Sequence, residues 1–221
     1  GPHFGEGAFR PSIDPAAFAH VLGLPALGIG DPFQHGVGRY CSWAFEAEGE
    51  SLQGSIDGKT RLAGIPLAEV EGFDFRAAVT YRLDEEGLRI LFDLAGEAPV
   101  AAGIHFYYDL VDRQTASAEL PVVQAPEGQS VLRLDFRQGH NTVFHPRPSA
   151  ERCTYRLITD RYSLETSVQV RGPESLSFYS VILFSPAGER FACLEPISYR
   201  RDGENLKRAF RGEILLSPRV R

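Results

Sequence analysis

His105, Tyr107 and Asp109 recur two residues apart in the stretch Gly103-Ile104-His105-Phe106-Tyr107-Tyr108-Asp109-Leu110. On an extended backbone that spacing puts them on one face beside Gly103, with Ile104, Phe106, Tyr108 and Leu110 on the other. The apolar face reads as core. The polar face is either an ordinary solvated strand surface or a row of groups beside a glycine that lets a ligand approach the backbone. A second stretch, Phe191-Ala192-Cys193-Leu194-Glu195-Pro196, places Glu195 on the face of Phe191 and Cys193. A carboxylate closing an apolar row is a surface residue at a strand end or a partly desolvated acid with a chemical task. Pro196, which has no N–H, is expected to end ladder pairing there. In a third stretch, His35-Gly36-Val37-Gly38-Arg39-Tyr40-Cys41-Ser42-Trp43, two glycines allow a tight turn that presents His35 beside Arg39, anchored by the single tryptophan. No phosphate-binding helix pattern follows this Gly-x-Gly, which excludes a dinucleotide site.

The elements that must hold these groups are strands. From Phe73 to Leu83 the odd positions are apolar or aromatic and the even ones mostly polar, the period-two signature of a half-buried strand. Asp84-Glu85-Glu86-Gly87 supplies turn chemistry, and Leu88, Ile90, Phe92 and Leu94 alternate beyond it, which predicts a hairpin. Alternation returns over 101–111, 130–136, 153–159, 163–170, 189–195 and 209–216, while 178–184 is apolar on both faces and suits a covered central strand. Glu46, Glu48 and Glu50 read as a solvated strand face. One short helix is predicted over 12–23, where a capping Ser12 or Asp14 precedes Pro15 and Gly23 supplies a stop, and residues 23–38 read as loop. The fold class expected is all-β, a large antiparallel sandwich with that one N-terminal helix, in a single domain.

Composition narrows the function. Basic residues number 23 against 29 acidic ones, a net charge of −6 with no dense basic run, so a nucleic-acid partner is not expected. Cys41, Cys153 and Cys193 are an odd count without Cys-x-x-Cys spacing, which argues against a disulfide framework and a zinc site and for a reducing, cytoplasmic setting. No apolar run approaches the ~18 residues of a membrane span, and no signal-peptide pattern is present. Gly1-Pro2-His3 has the form of a protease scar, so residues 1–7 are set aside.

Taken in order, the three stretches resemble the aldose 1-epimerase (galactose mutarotase-like) superfamily. His35-Gly36-x-x-Arg39-x-x-x-Trp43 resembles its H-G-x-x-R-x-x-x-W loop, Gly103-Ile104-His105-Phe106-Tyr107-Tyr108 its G-x-H-P-Y-F strand, and Cys193-Leu194-Glu195-Pro196 its late C-x-E-P strand. Phe106 replaces the usual Pro and Tyr108 the usual Phe, and only 34 residues precede His35 where relatives carry further strands. The N-terminal part is therefore expected to be shortened or rebuilt.

The resemblance implies a mutarotase-like sandwich that interconverts sugar anomers, with His105 as general acid and Glu195 as general base. His35, Arg39, Tyr107 and Asp135 would bind the sugar. The substrate implied is a hexose, with a phosphorylated one the lesser expectation although Arg39 and Arg137 could meet a phosphate. No metal or organic cofactor is called for. The acid and base must each reach an oxygen on one carbon, so their side chains are expected about 5 to 8 Å apart across a cleft. A non-catalytic sugar-binding or regulatory domain on the same fold is the alternative reading, and a fold used only for protein association a third.

Overall fold

The computed structural model describes residues 38, 40–100, 102–120, 131–144, 152–170, 180–198 and 207–220. The predicted helix over 12–23 and nearly all of the loop over 23–38, with His35, lie outside the described residues, as does Arg39. In chain order the strands are β1 (Ala44–Glu48), β2 (Ser51–Asp57), β3 (Arg61–Leu62), β4 (Ile65–Pro66), β5 (Phe75–Asp84), β6 (Gly87–Val100), β7 (Tyr107–Asp109) and β8 (Ser117–Leu120). They continue as β9 (Leu132–Asp135), β10 (His140–Phe144), β11 (Arg152–Ile158), β12 (Tyr162–Val170), β13 (Ser180–Ser185), β14 (Phe191–Ile197) and β15 (Lys207–Val220). The helix among the described residues, α1 (Leu67–Glu71), is one short piece between β4 and β5, closed by Gly72 in the left-handed conformation at φ 80°.

Two antiparallel sheets make the body. One has nine strands in the order β1-β2-β5-β6-β15-β12-β11-β8-β9, the other four in the order β10-β13-β14-β7. The β5–β6 hairpin matches its sequence signal: Asp84 pairs with Gly87 across the turn, and Gly87 adopts φ 138°, a conformation open to glycine and strained for other residues. Ile90, Phe92 and Leu94 of β6, Tyr155 and Leu157 of β11, Val168 of β12 and Ile214 and Leu216 of β15 point inward from the large sheet. Val181 and Leu183 of β13, Ala192 and Leu194 of β14, and Leu110 just after β7 belong to the same buried cluster. This is sheet packed on sheet over one core, the expected all-β sandwich.

Two local expectations need correction. Pro196 does not end β14: it pairs with Val181, and Ile197 beyond it pairs with Ser180 and forms an isolated bridge to Gly103. In an antiparallel ladder one residue's N–H and C=O face the same neighbour. The Pro196 carbonyl accepts from the Ile104 N–H at 3.4 Å, so its missing donor also faces residues 102–106, where regular pairing is absent. The strand read over 101–111 accordingly shrinks to β7 plus that bridge. Short strands β3, β4, β8 and β10 and helix α1 carry no clear sequence period because two to five residues are too few to show one.

Candidate functional site

The small sheet has a buried inner face and an outward one, and alternation sorts its residues between them. Cys193 pairs with Tyr107 on one side and Phe184 on the other, while Glu195 pairs with Ile182. Tyr107, Phe184, Phe191, Cys193 and Glu195 therefore share the face turned away from the core cluster, on which Cys193 and Glu195 are themselves buried, and Leu183, Ala192 and Leu194, members of that cluster, share the inner one. The pairing Cys193↔Tyr107 and the bridge Gly103↔Ile197 keep the same register, which sets residue 105 across from residue 195. Two groups ninety positions apart in sequence are thus neighbours across a strand pair.

Their side chains touch. His105 Nε2 lies 3.1 Å from Glu195 Oε1, with the imidazole 24% exposed and the carboxylate 3% exposed. When the imidazole is protonated, its Nε2–H donates to Oε1 in a charge-assisted hydrogen bond. The expected gap of about 5 to 8 Å is therefore not what the structure has: acid and base meet directly, and a ligand oxygen must part them. Burial pushes the Glu195 carboxyl up from 4.5 to about 7. A carboxyl at that position is half ionised near neutral pH, where a general base is most effective.

Aromatic rings extend the pair. Tyr107 stacks on His105 with ring centroids 4.6 Å apart and planes at 19°. Phe191 stands 5.3 Å from Tyr107, and Phe184 stands 6.4 Å from Phe191. Tyr107 is two-thirds exposed, so the rings run from solvent to a buried carboxylate. Such a wall suits a ligand with an apolar face and a polar edge.

Of the residues singled out from sequence, the structure brings together His105, Tyr107 and Glu195. Asp135 does not join them. It ends β9, at the edge of the large sheet, and its carboxylate accepts from the Arg137 guanidinium at 2.7 Å and the Arg137 backbone N–H at 3.0 Å. Those contacts hold its carboxyl below the usual carboxylate range and occupy the arginine considered for a phosphate. The Trp43 Nε1–H donates to the Gly38 carbonyl at 2.7 Å, while the rest of the glycine turn lies outside the described residues. Period-two alternation placed Phe191 and Cys193 on the face of Glu195, whereas Phe184 on the same face was missed, because its position depends on pairing between β13 and β14.

No protein-family model matches the sequence, and no curated protein does either. Solved structures do match in shape. The protein Slr1438 from Synechocystis superimposes with a TM-score of 0.63 at 19% identity, over 85% of this chain and 69% of its own. A galactose mutarotase-like protein from Lactobacillus casei gives 0.61 at 14% identity, over 84% of this chain and 76% of its own. A candidate aldose 1-epimerase from Escherichia coli K12 gives 0.57 at 18% identity, over 85% and 72%. This chain has the galactose mutarotase-like fold. The likeness established is one of architecture, carried by strand order and packing rather than by sequence identity at this level.

Proposed function

We propose that the protein is an aldose 1-epimerase-like isomerase acting on a hexose, with His105 and Glu195 as its proton-transferring pair. The observation that carries this reading is the 3.1 Å contact between His105 Nε2 and Glu195 Oε1 on an outward, aromatic-walled sheet face. Anomer exchange needs a proton taken from the anomeric hydroxyl and another given to the ring oxygen, so that the C1–O bond of the ring breaks and the aldehyde forms. Glu195 as carboxylate takes the first and His105 as imidazolium gives the second. Rotation about the C1–C2 bond exposes the other carbonyl face, and the reverse transfers reclose the ring, leaving the pair as it began. Tyr107 offers its ring to the C–H face of the pyranose. His35, Arg39 and Asp135 are assigned to sugar hydroxyls on the resemblance alone.

Exchange NMR on glucose and galactose anomers tests the proposal. The wild-type protein should accelerate exchange and Glu195→Gln should not, and equal rates for the two proteins would remove the catalytic claim. A second reading, a non-catalytic sugar-binding domain, is favoured by the closed contact itself, because acid and base leave no gap for two substrate oxygens in this state. Sugar-dependent chemical shifts without faster exchange would establish that alternative.

A further inference from the structure

The outward face of the small sheet gathers one more donor than proton transfer needs. A coordinating nitrogen of His105, the thiol sulfur of Cys193 and a carboxylate oxygen of Glu195 all lie within 4.8 Å of one another. Cysteine spacing argues against a zinc site built from several thiolates. It does not address one thiolate joined by a nitrogen and an oxygen that only sheet pairing brings near.

We propose that His105, Cys193 and Glu195 form a binding site for a single thiophilic divalent cation of the zinc class, whose occupancy blocks the proton-transferring pair. Tetrahedral zinc with bonds of 2.0 to 2.3 Å holds its ligand atoms roughly 3.3 to 3.8 Å apart. The His105 and Glu195 atoms stand just under that span at 3.1 Å and the sulfur lies within 4.8 Å of both, so opening the first pair by a few tenths of an ångström and drawing the sulfur in by about 1 Å completes it. Cys193 and Glu195 are two residues apart on β14, so both project to the same side, and His105 reaches them from the facing segment. Thiolate, carboxylate and neutral imidazole carry two negative charges together. A divalent cation therefore makes a neutral unit, which suits a place where Cys193 and Glu195 are each at most 2% exposed. Three protein ligands leave a fourth position open, the pattern of zinc sites that exchange an outer ligand.

Cation binding stands apart from the proposed isomerase activity, whereas the block rests on it, and the two are read separately. Cobalt(II) titrated into the purified full chain should give a near-ultraviolet thiolate-to-cobalt band at one equivalent, removed by zinc. Cys193→Ser should abolish that band and weaken zinc binding more than tenfold, while Cys41→Ser should retain both. Far-ultraviolet circular dichroism confirms that each variant is folded. In exchange NMR, micromolar free zinc should slow the wild-type protein at least tenfold relative to its own zinc-free rate and leave the Cys193→Ser rate within twofold of its own. A cobalt band that persists in Cys193→Ser, or no band in the wild type, overturns the site. A band without any zinc effect on a measurable exchange rate overturns the block. A band in a protein that accelerates no exchange leaves the site standing and the isomerase reading refuted.

Discussion

Replacing Glu195 by Gln separates what this carboxylate does for the fold from what it does for chemistry. The side chain is 3% exposed and burial raises its proton affinity from 4.5 to about 7. Such a group binds its proton more tightly folded than unfolded, so its contribution to stability is greatest below about pH 4.5 and is lost as pH rises to about 7. The full loss corresponds to on the order of 3 kcal/mol. His105 at 3.1 Å opposes part of it by stabilising the ionised form, which makes that figure an upper bound. Gln has the same shape and no charge to desolvate. Urea unfolding with a chelator present should therefore show Glu195→Gln close to wild type at pH 5 and more stable by about 1 to 3 kcal/mol at pH 8. Anomer exchange should fall by about 10²- to 10⁴-fold in the same variant, the usual contribution of a general base. In the wild-type protein the rate should rise through about pH 7 as the carboxyl ionises. A variant less stable by the same amount at both pH values would refute the desolvation argument, because the cost would then be lost packing or a lost hydrogen bond.

Glu71 in α1 is 5% exposed and burial pushes its carboxyl up to about 8, so stability should decline from about pH 4.5 to 8 and Glu71→Gln should flatten that decline in a pH series of thermal melts. Gly87→Ala should destabilise by about 2 kcal/mol or more in urea, since φ 138° is strained for alanine and the added methyl would meet the Leu216 carbonyl. Arg89→Met removes the guanidinium that binds Glu213, Asp84 and Glu86; with Glu213 only 6% exposed, the cost should be about 3 kcal/mol, much reduced in Arg89→Met/Glu213→Leu. Tyr107→Ala should raise the sugar concentration for half-maximal exchange several-fold with little change in the saturated rate, because its ring stacks on His105 without contributing a proton.

The strands that sequence located are those whose periodicity is long enough to read. Residues 73–94 alternate on both sides of an acidic turn closed by glycine, and β5 and β6 form there with Asp84 opposite Gly87. The faces of residues 103–110 and 191–195 are also legible, because alternation needs only the residues themselves. Which strands pair is a different question. β15 lies between β6 and β12, and β14 between β13 and β7, and such partners are chosen by closing long loops over a shared core rather than by any local preference.

The amino-acid sequence by itself determined that this chain folds into sheets, and which face of each strand is apolar; it also marked His105 and Glu195. Tertiary structure alone decided that residues 105 and 195 stand across from each other, that their side chains meet at 3.1 Å, and that Asp135 is held by Arg137 at an edge of the other sheet. It also decided the raised proton affinity of Glu195, since that depends on the water excluded when the folded chain buries its carboxyl. Periodicity is a property of neighbours along the chain, whereas proximity and desolvation are properties of neighbours in space.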